Sequence, residues 1–183
     1  MQKAPNGTKE TILATAKEIL LNGDVADFTI RAVAKRSGVS IGTVYNYYES
    51  KDMLAASVML EDWFSVLDDI RAGCCRAGSL CEALTLMHEQ LEFFGRKYRS
   101  VWAQYRTEGN FAEEYSKRHR QITMQLAECL SEPLKTHWPS HPAQISVFFA
   151  ENLLLCTAGS CLSFKMLLDI AEHLQNDTTK WEE

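Results

Sequence analysis

Apolar residues recur along most of this chain at intervals of three and four, the period of an amphipathic helix, and no stretch alternates for long enough to suggest a half-buried strand. The first run places Ile12, Ala16, Ile19 and Leu20 on one face. Thr8 is its candidate N-cap, Glu10 sits in the first turn where the helix dipole favours an anion, and Asn22-Gly23 ends it. After the short loop "DVADF", Thr29 is a second N-cap candidate, and Ile30, Val33 and Ala34 form the buried stripe of a two-turn helix. Ser37-Gly38 breaks that helix, because glycine takes the left-handed conformation that helix ends often need. Ser40 then caps a third helix, with Val39 placed to pack on Val44 as a hydrophobic staple. Ser50 caps a fourth and longer helix, which carries Lys51 and Asp52 in its first turn and Met53, Leu54, Val58, Leu60, Trp63, Phe64 and Leu67 along its length. No proline interrupts this passage, so a rigid connection is expected.

Beyond Ser79 the pattern stays helical. "LCEALTLMHEQLEFF" keeps the three-and-four spacing, "KYRSVWAQY" continues after Gly95, and a helix is predicted from just after Gly109 to near Pro133. "HWPSHP" is a proline-marked turn. A last long helix is predicted from about Ala143 to about Gln175, followed by a frayed tail, "NDTTKWEE". The fold class that follows is all-α.

With 183 residues, 46% of them hydrophobic, the chain can bury a sizeable core. Its most apolar region, "ISVFFAENLLLCTAGSCLSF", carries Glu151 and Asn152 and falls short of the uninterrupted span of about 20 residues that a bilayer requires. The opening "MQKAPNGTKE" reads as a polar arm rather than a signal peptide, so a cytoplasmic protein without membrane association is expected. The six cysteines are then expected as reduced, small core residues. A metal or redox cluster of Cys74, Cys75 and Cys81 is the sharper alternative, but no C-x-x-C spacing supports it and His88 stands in no finger register.

The net charge of −5 argues against a protein that coats nucleic acid by bulk electrostatics. Its distribution changes the picture. Residues 1 to 55 hold five Lys and two Arg against three Glu and three Asp, so the N-terminal part is the one suited to approach a polyanion. Two short helices joined at Ser-Gly-Val and braced by a preceding helix make a helix-turn-helix, whose second helix fits the DNA major groove. With Ile30, Val33, Ala34, Val39 and Val44 turned inward, Ser40, Ile41, Gly42, Thr43, Asn46 and Tyr47 are left outside. Gly42 permits close backbone approach, Ser40 and Thr43 can bond phosphate or a base edge, Asn46 has the donor and acceptor pair that reads adenine, and Ile41 suits a thymine methyl. Tyr45, Tyr47 and Lys51 can reach phosphate oxygens.

The stretch "FTIRAVAKRSGVSIGTVYNYYESKDML", residues 28 to 54, resembles the DNA-binding signature of the TetR family of bacterial transcriptional regulators. It has the Thr-initiated second helix, the Gly-Val-Ser turn, the Gly-Thr-hydrophobic-Tyr recognition helix and the Ser-Lys start of the fourth. With the first helix included, the resemblance covers roughly residues 8 to 60. It implies that Thr29 and Tyr45 bind phosphate, that Arg31 reaches a base edge, that Ser40 to Thr43 with Asn46 and Tyr47 face the groove, and that Lys51 holds the backbone. Leu20 and Leu21 stand where the family usually has an aromatic residue near the end of helix one.

The resemblance further implies an N-terminal three-helix DNA-binding domain, residues 1 to 52, followed by a helical effector-binding and dimerisation domain, residues 53 to 183. Material for both roles is present. Phe148, Leu155, Ala158, Gly159, Leu162 and Met166 are candidates for a homodimer interface, with the last helix and the one ending near Pro133 pairing across a two-fold axis. Met87, His88, Phe93, Phe94, Trp102 and Tyr105 are candidates to line an effector pocket, and serve equally well as solid core. The expected partners are a pseudo-palindromic double-stranded DNA operator, a second copy of the chain and a small apolar or amphipathic effector that releases a repressor. A DNA-binding dimer without an effector is the alternative. An enzyme is the rival from another class, but there is no Gly-rich phosphate loop, H-E-x-x-H or G-x-S-x-G, so no catalytic residue, cofactor or metal is expected.

Overall fold

The computed structural model describes residues 7–22, 27–101, 111–137, 142–158 and 163–176, and these are helical with no strand among them. The named helices are α1 Thr8–Asn22, α2 Ile30–Ser37, α3 Ile41–Tyr47, α4 Lys51–Cys74, α5 Leu80–Lys97, α6 Phe111–His137, α7 Pro142–Thr157 and α8 Phe164–Asn176. They fall into two compact units: one holds the residues up to Phe64 together with the stretch from Lys97, the other Ser65–Arg96 and the C-terminal helices. The division falls within α4.

In the first unit α1 packs on α2 and α2 on α3. Ile12, Ala16, Val33, Ala34 and Val44 are all but completely buried, and Phe28 is 1% exposed. The short helices are set by their ends. Thr29 Oγ1 accepts the Ala32 N–H at 3.1 Å, Ser40 Oγ accepts the Thr43 N–H at 3.0 Å, and Ser50 Oγ accepts the Met53 N–H at 3.1 Å. Gly38 closes α2 with φ 71°, and the Val39 N–H bonds the Ala34 carbonyl at 3.1 Å, the long bond of a Schellman ending. Nothing would crowd a Cβ at Gly38, so Gly38→Ala should cost only the left-handed backbone conformation, about 1 kcal/mol, read as a fall of a few degrees in melting temperature. The cap of α1 falls one residue before Thr8: the Gly7 carbonyl accepts from both the N–H and the hydroxyl of Thr11.

In the second unit α5 buries Leu80, Ala83, Leu84, Met87 and Leu91, a stripe at the predicted spacing. α6 and α7 pack along each other, with Leu126, Leu130 and Leu134 of one and Phe149, Ala150 and Leu153 of the other fully buried, and α8 packs on α7. Two expectations need correction here. α6 does not end near Pro133 but continues to His137, because a proline removes one N–H bond without forbidding the helix. The single last helix from Ala143 to Gln175 is two helices: α7 stops at Thr157, whose hydroxyl returns to the Leu154 carbonyl at 2.9 Å, and α8 starts afresh with Ser163 Oγ capping the Met166 N–H at 3.2 Å. The small and polar run Thr157-Ala158-Gly159-Ser160 offers little side-chain burial to carry a helix through. Residues 1–6 of the predicted polar arm and 177–183 of the frayed tail lie outside the described residues; Thr8–Glu10 of the arm already belong to α1.

A polar clasp also ties α6 to α7. Glu151 Oε1 meets His119 Nε2 at 2.7 Å, and its Oε2 accepts the Thr123 hydroxyl at 2.8 Å. Burial raises the Glu151 carboxyl, but the bonds from His119 and Thr123 prevail and hold it below its usual range. A carboxyl with a depressed folded pKa adds stability that is present above its unfolded value and lost as pH falls through the folded one. Glu151→Gln should therefore flatten the acid limb of the stability profile below about pH 4.5, followed by urea unfolding at a series of pH values.

Candidate nucleic-acid interface

Three capped helix starts converge on one surface of the first unit. Thr29, Ile30 and Arg31 at the start of α2, Ile41 and Tyr45 on α3, and Lys51 at the start of α4 surround an open recess of about 360 Å³. Ile30 anchors its floor, being buried, while Thr29 and Arg31 beside it are exposed. Its rim therefore carries two cations and two hydroxyls, the groups that bind phosphate oxygens, beside an apolar Ile41. Lys51 stands in the first turn of a 24-residue helix, where the N-terminal dipole adds to its own charge.

Most of the expected contact residues are turned outward. Ile41 is 41%, Tyr45 51% and Tyr47 38% exposed, and Ser40, Gly42 and Asn46 are exposed as well. Thr43 is half-buried, and its hydroxyl pairs with Ser40 Oγ at 2.8 Å. The two hydroxyls thus form a small polar unit at the start of α3. Of the inward set, Ile30, Val33, Ala34 and Val44 are buried and Val39 is half-buried. Tyr48 ends α3 in extended conformation and is 4% exposed, with a hydroxyl that has no hydrogen-bond partner among the described residues. Burial, then Glu61 and Glu10, push its phenol above the ordinary tyrosine range.

A second feature of this unit escaped the sequence entirely. Asp62 of α4, 6% exposed, receives Lys17 of α1, Lys97 at the end of α5 and the Tyr98 hydroxyl at 2.7 Å. No local pattern announces such a cluster, because Asp62 lies more than thirty residues from each of its partners.

The candidate pocket residues spread around α5. Met87 is fully buried, Phe93 is 55% exposed, Phe94 is half-buried, and His88 stacks on Phe164 with ring centroids 3.9 Å apart. Burial lowers the His88 pKa against the opposing pull of Glu92 and Glu89. Trp102 and Tyr105 lie outside the described residues. Of the candidate interface residues, Phe148, Leu155, Ala158 and Met166 are exposed, and Gly159 and Leu162 lie outside the described residues. Cys74 is buried, and that burial pushes its thiol up to about 12; Cys75 is exposed, and the half-buried Cys81 directs its thiol to the Leu168 carbonyl and Gln175. Among the described residues no three His, Cys, Asp or Glu side chains gather as a metal site, and no helix is long and apolar enough to cross a membrane.

Residues 12–58, which hold the recess and all three of its helix starts, match the family model of the bacterial regulatory proteins of the tetR family. The chain carries the TetR-type N-terminal region. A curated relative, the HTH-type transcriptional regulator SAR0097 of Staphylococcus aureus strain MRSA252, is 34% identical over 68 residues; the match spans 35% of this chain and 36% of that protein. Solved structures extend the likeness over the whole fold. The TetR family repressor AlkX of Dietzia sp. strain DQ12-45-1b, implicated in biodegradation of n-alkanes, is 18% identical, with 98% of each chain covered and a TM-score of 0.58. A TetR/AcrR family regulator of Thermobifida fusca YX-ER1 is 16% identical, with 97% of this chain and 100% of that one covered and a TM-score of 0.57. At such identities the TetR-type helical fold is what the two have in common with this chain.

Proposed function

We propose that the protein is a sequence-specific DNA-binding transcriptional regulator, a homodimeric repressor that a small apolar or amphipathic effector releases from a pseudo-palindromic operator. The observation that carries the reading is the recess: Thr29, Tyr45 and Lys51 bring phosphate-binding groups from three helices to one rim, with the Arg31 guanidinium beside them and the exposed face of α3 adjoining. Arg31, Asn46 and the Ser40 to Thr43 turn read base edges, while Thr29, Tyr45 and Lys51 hold the backbone. One recognition helix covers one half-site, so a palindromic operator calls for two copies of the chain. The exposed Phe148, Leu155 and Met166 supply apolar surface for that pairing.

Effector release follows if a ligand binds one conformation of the dimer better than the other, since it then shifts the population away from the DNA-binding spacing. Support for an apolar effector is the n-alkane connection of AlkX. The test is a thermal shift with medium-chain alkanes and fatty acids, repeated on operator DNA. A raised melting temperature together with weakened operator binding supports the effector. No shift with any such compound, with operator binding intact, would leave a regulator without a ligand of this class.

A further inference from the structure

The recognition helix must be held as well as exposed, and the chemistry that holds it centres on a buried carboxylate. Asp62 has a side chain only 7% exposed, and each of its oxygens is engaged: Oδ1 by the Lys17 ammonium, Oδ2 by the Lys97 ammonium and the Tyr98 hydroxyl. Three segments of the first unit meet there, α1 through Lys17, α4 through Asp62 itself, and the end of α5 with the following turn through Lys97 and Tyr98. The preceding residue on α4, Glu61, lies 3.8 Å from the same Lys17. Through Lys17 the Asp62 carboxylate thus ties α4 to α1, which packs on α2, and α2 in turn packs on the recognition helix α3.

A buried charge with this set of partners is a costly way to stabilise a fold, since apolar residues of similar volume often do as well; what it offers is a defined arrangement. Burial opposes ionisation of Asp62, but hydrogen bonds from Lys17, Lys97 and Tyr98 outweigh it and keep the carboxyl below its usual range, so the tie stays charged at neutral pH. Tyr98 is fully buried, so its hydroxyl does not trade this bond for solvent.

We infer that Asp62 is a positioning residue for operator binding: its carboxylate fixes α4 against α1 and against Tyr98, and thereby the pose in which α3 and Lys51 are presented together to DNA. Loosening the tie leaves the phosphate-binding groups in place but spoils their joint register with the base-reading face. The inference rests on the DNA-binding reading above.

Operator and random-duplex affinities of the full chain are measured at several salt concentrations for wild type, Tyr98→Phe, Lys97→Met, Asp62→Glu and Asp62→Asn, each with a circular-dichroism melt. Tyr98→Phe removes a single hydroxyl and keeps the test readable if Asp62→Asn does not fold. The expected result, well below each melting temperature, is a roughly tenfold loss of operator affinity for Tyr98→Phe and Lys97→Met and a larger loss for Asp62→Asn, with partial recovery in Asp62→Glu. Affinity for random DNA and the salt slope stay at wild-type values, because no phosphate contact is lost. Variants that melt earlier but bind the operator as wild type does when folded would make the cluster structural only and overturn the inference. Equal losses on operator and random DNA would overturn it too. A wild-type protein that selects no DNA would overturn the DNA-binding reading and this inference with it.

Discussion

Phe28→Ala should lower the stability of the protein by about 3–5 kcal/mol and remove DNA binding at physiological temperature. Phe28 is 1% exposed and stands immediately before the Thr29 cap, while Val33, four residues after that cap, is 0% exposed. These are the two positions of a hydrophobic staple, which fixes the angle at which the chain enters a helix. Deleting the ring therefore opens a cavity in a small core and frees the entry to α2, whose first residues form one side of the recess. A loss of that size is a large part of the total stability of an ordinary domain, about 5–15 kcal/mol. Urea unfolding measures it, with operator binding followed over the same temperatures. A loss under about 1 kcal/mol would mean that Phe28 does not carry the core.

Single substitutions on the recess and on α3 should separate two kinds of loss. Arg31→Ala and Asn46→Ala should each cost about 1–3 kcal/mol on the operator and relax preference at particular base pairs. Lys51→Ala should weaken binding to operator and random duplex alike and reduce the salt slope by about 1, and Tyr45→Phe should weaken both without changing that slope. The division follows from placement and chemistry: Lys51 and Tyr45 sit on the rim of the recess, Asn46 is exposed on α3 outside it, and Arg31, though also on the rim, carries the planar guanidinium suited to pairing with a base edge. Fluorescence anisotropy on both duplexes over a salt series measures all four. Equal losses on specific and random DNA for every variant would contradict the assignment of roles.

What could be read from the sequence was local. The caps at Thr29, Ser40 and Ser50 and the left-handed Gly38 are bonds or conformations set within a few residues, so residue type and spacing predict them. The contact face of α3 followed from the same local order. The Asp62 cluster did not, because a charged residue on a helix looks like a solvated one until its distant partners fold around it. The interruption between α7 and α8 was hidden by a composition that stays apolar on both sides, and Pro133 misled because a helix held by burial tolerates one missing N–H. The α5 group of pocket candidates had a geometric flaw that the sequence already contained: Met87 and Phe93 are six residues apart, about 240° around a helix, so one points to the core and the other to solvent.

The most direct test of the central claim is selection of bound fragments from random duplex DNA at near-physiological salt, with a Tyr45→Ala/Thr43→Ala protein in parallel. Both altered side chains lie on α3, Tyr45 on the recess and Thr43 in the hydroxyl pair at its tip. If α3 reads an operator, an inverted repeat is enriched by the wild type and lost with the double variant. No enrichment from a folded, dimeric wild type, or the same repeat recovered with the variant, would contradict that claim.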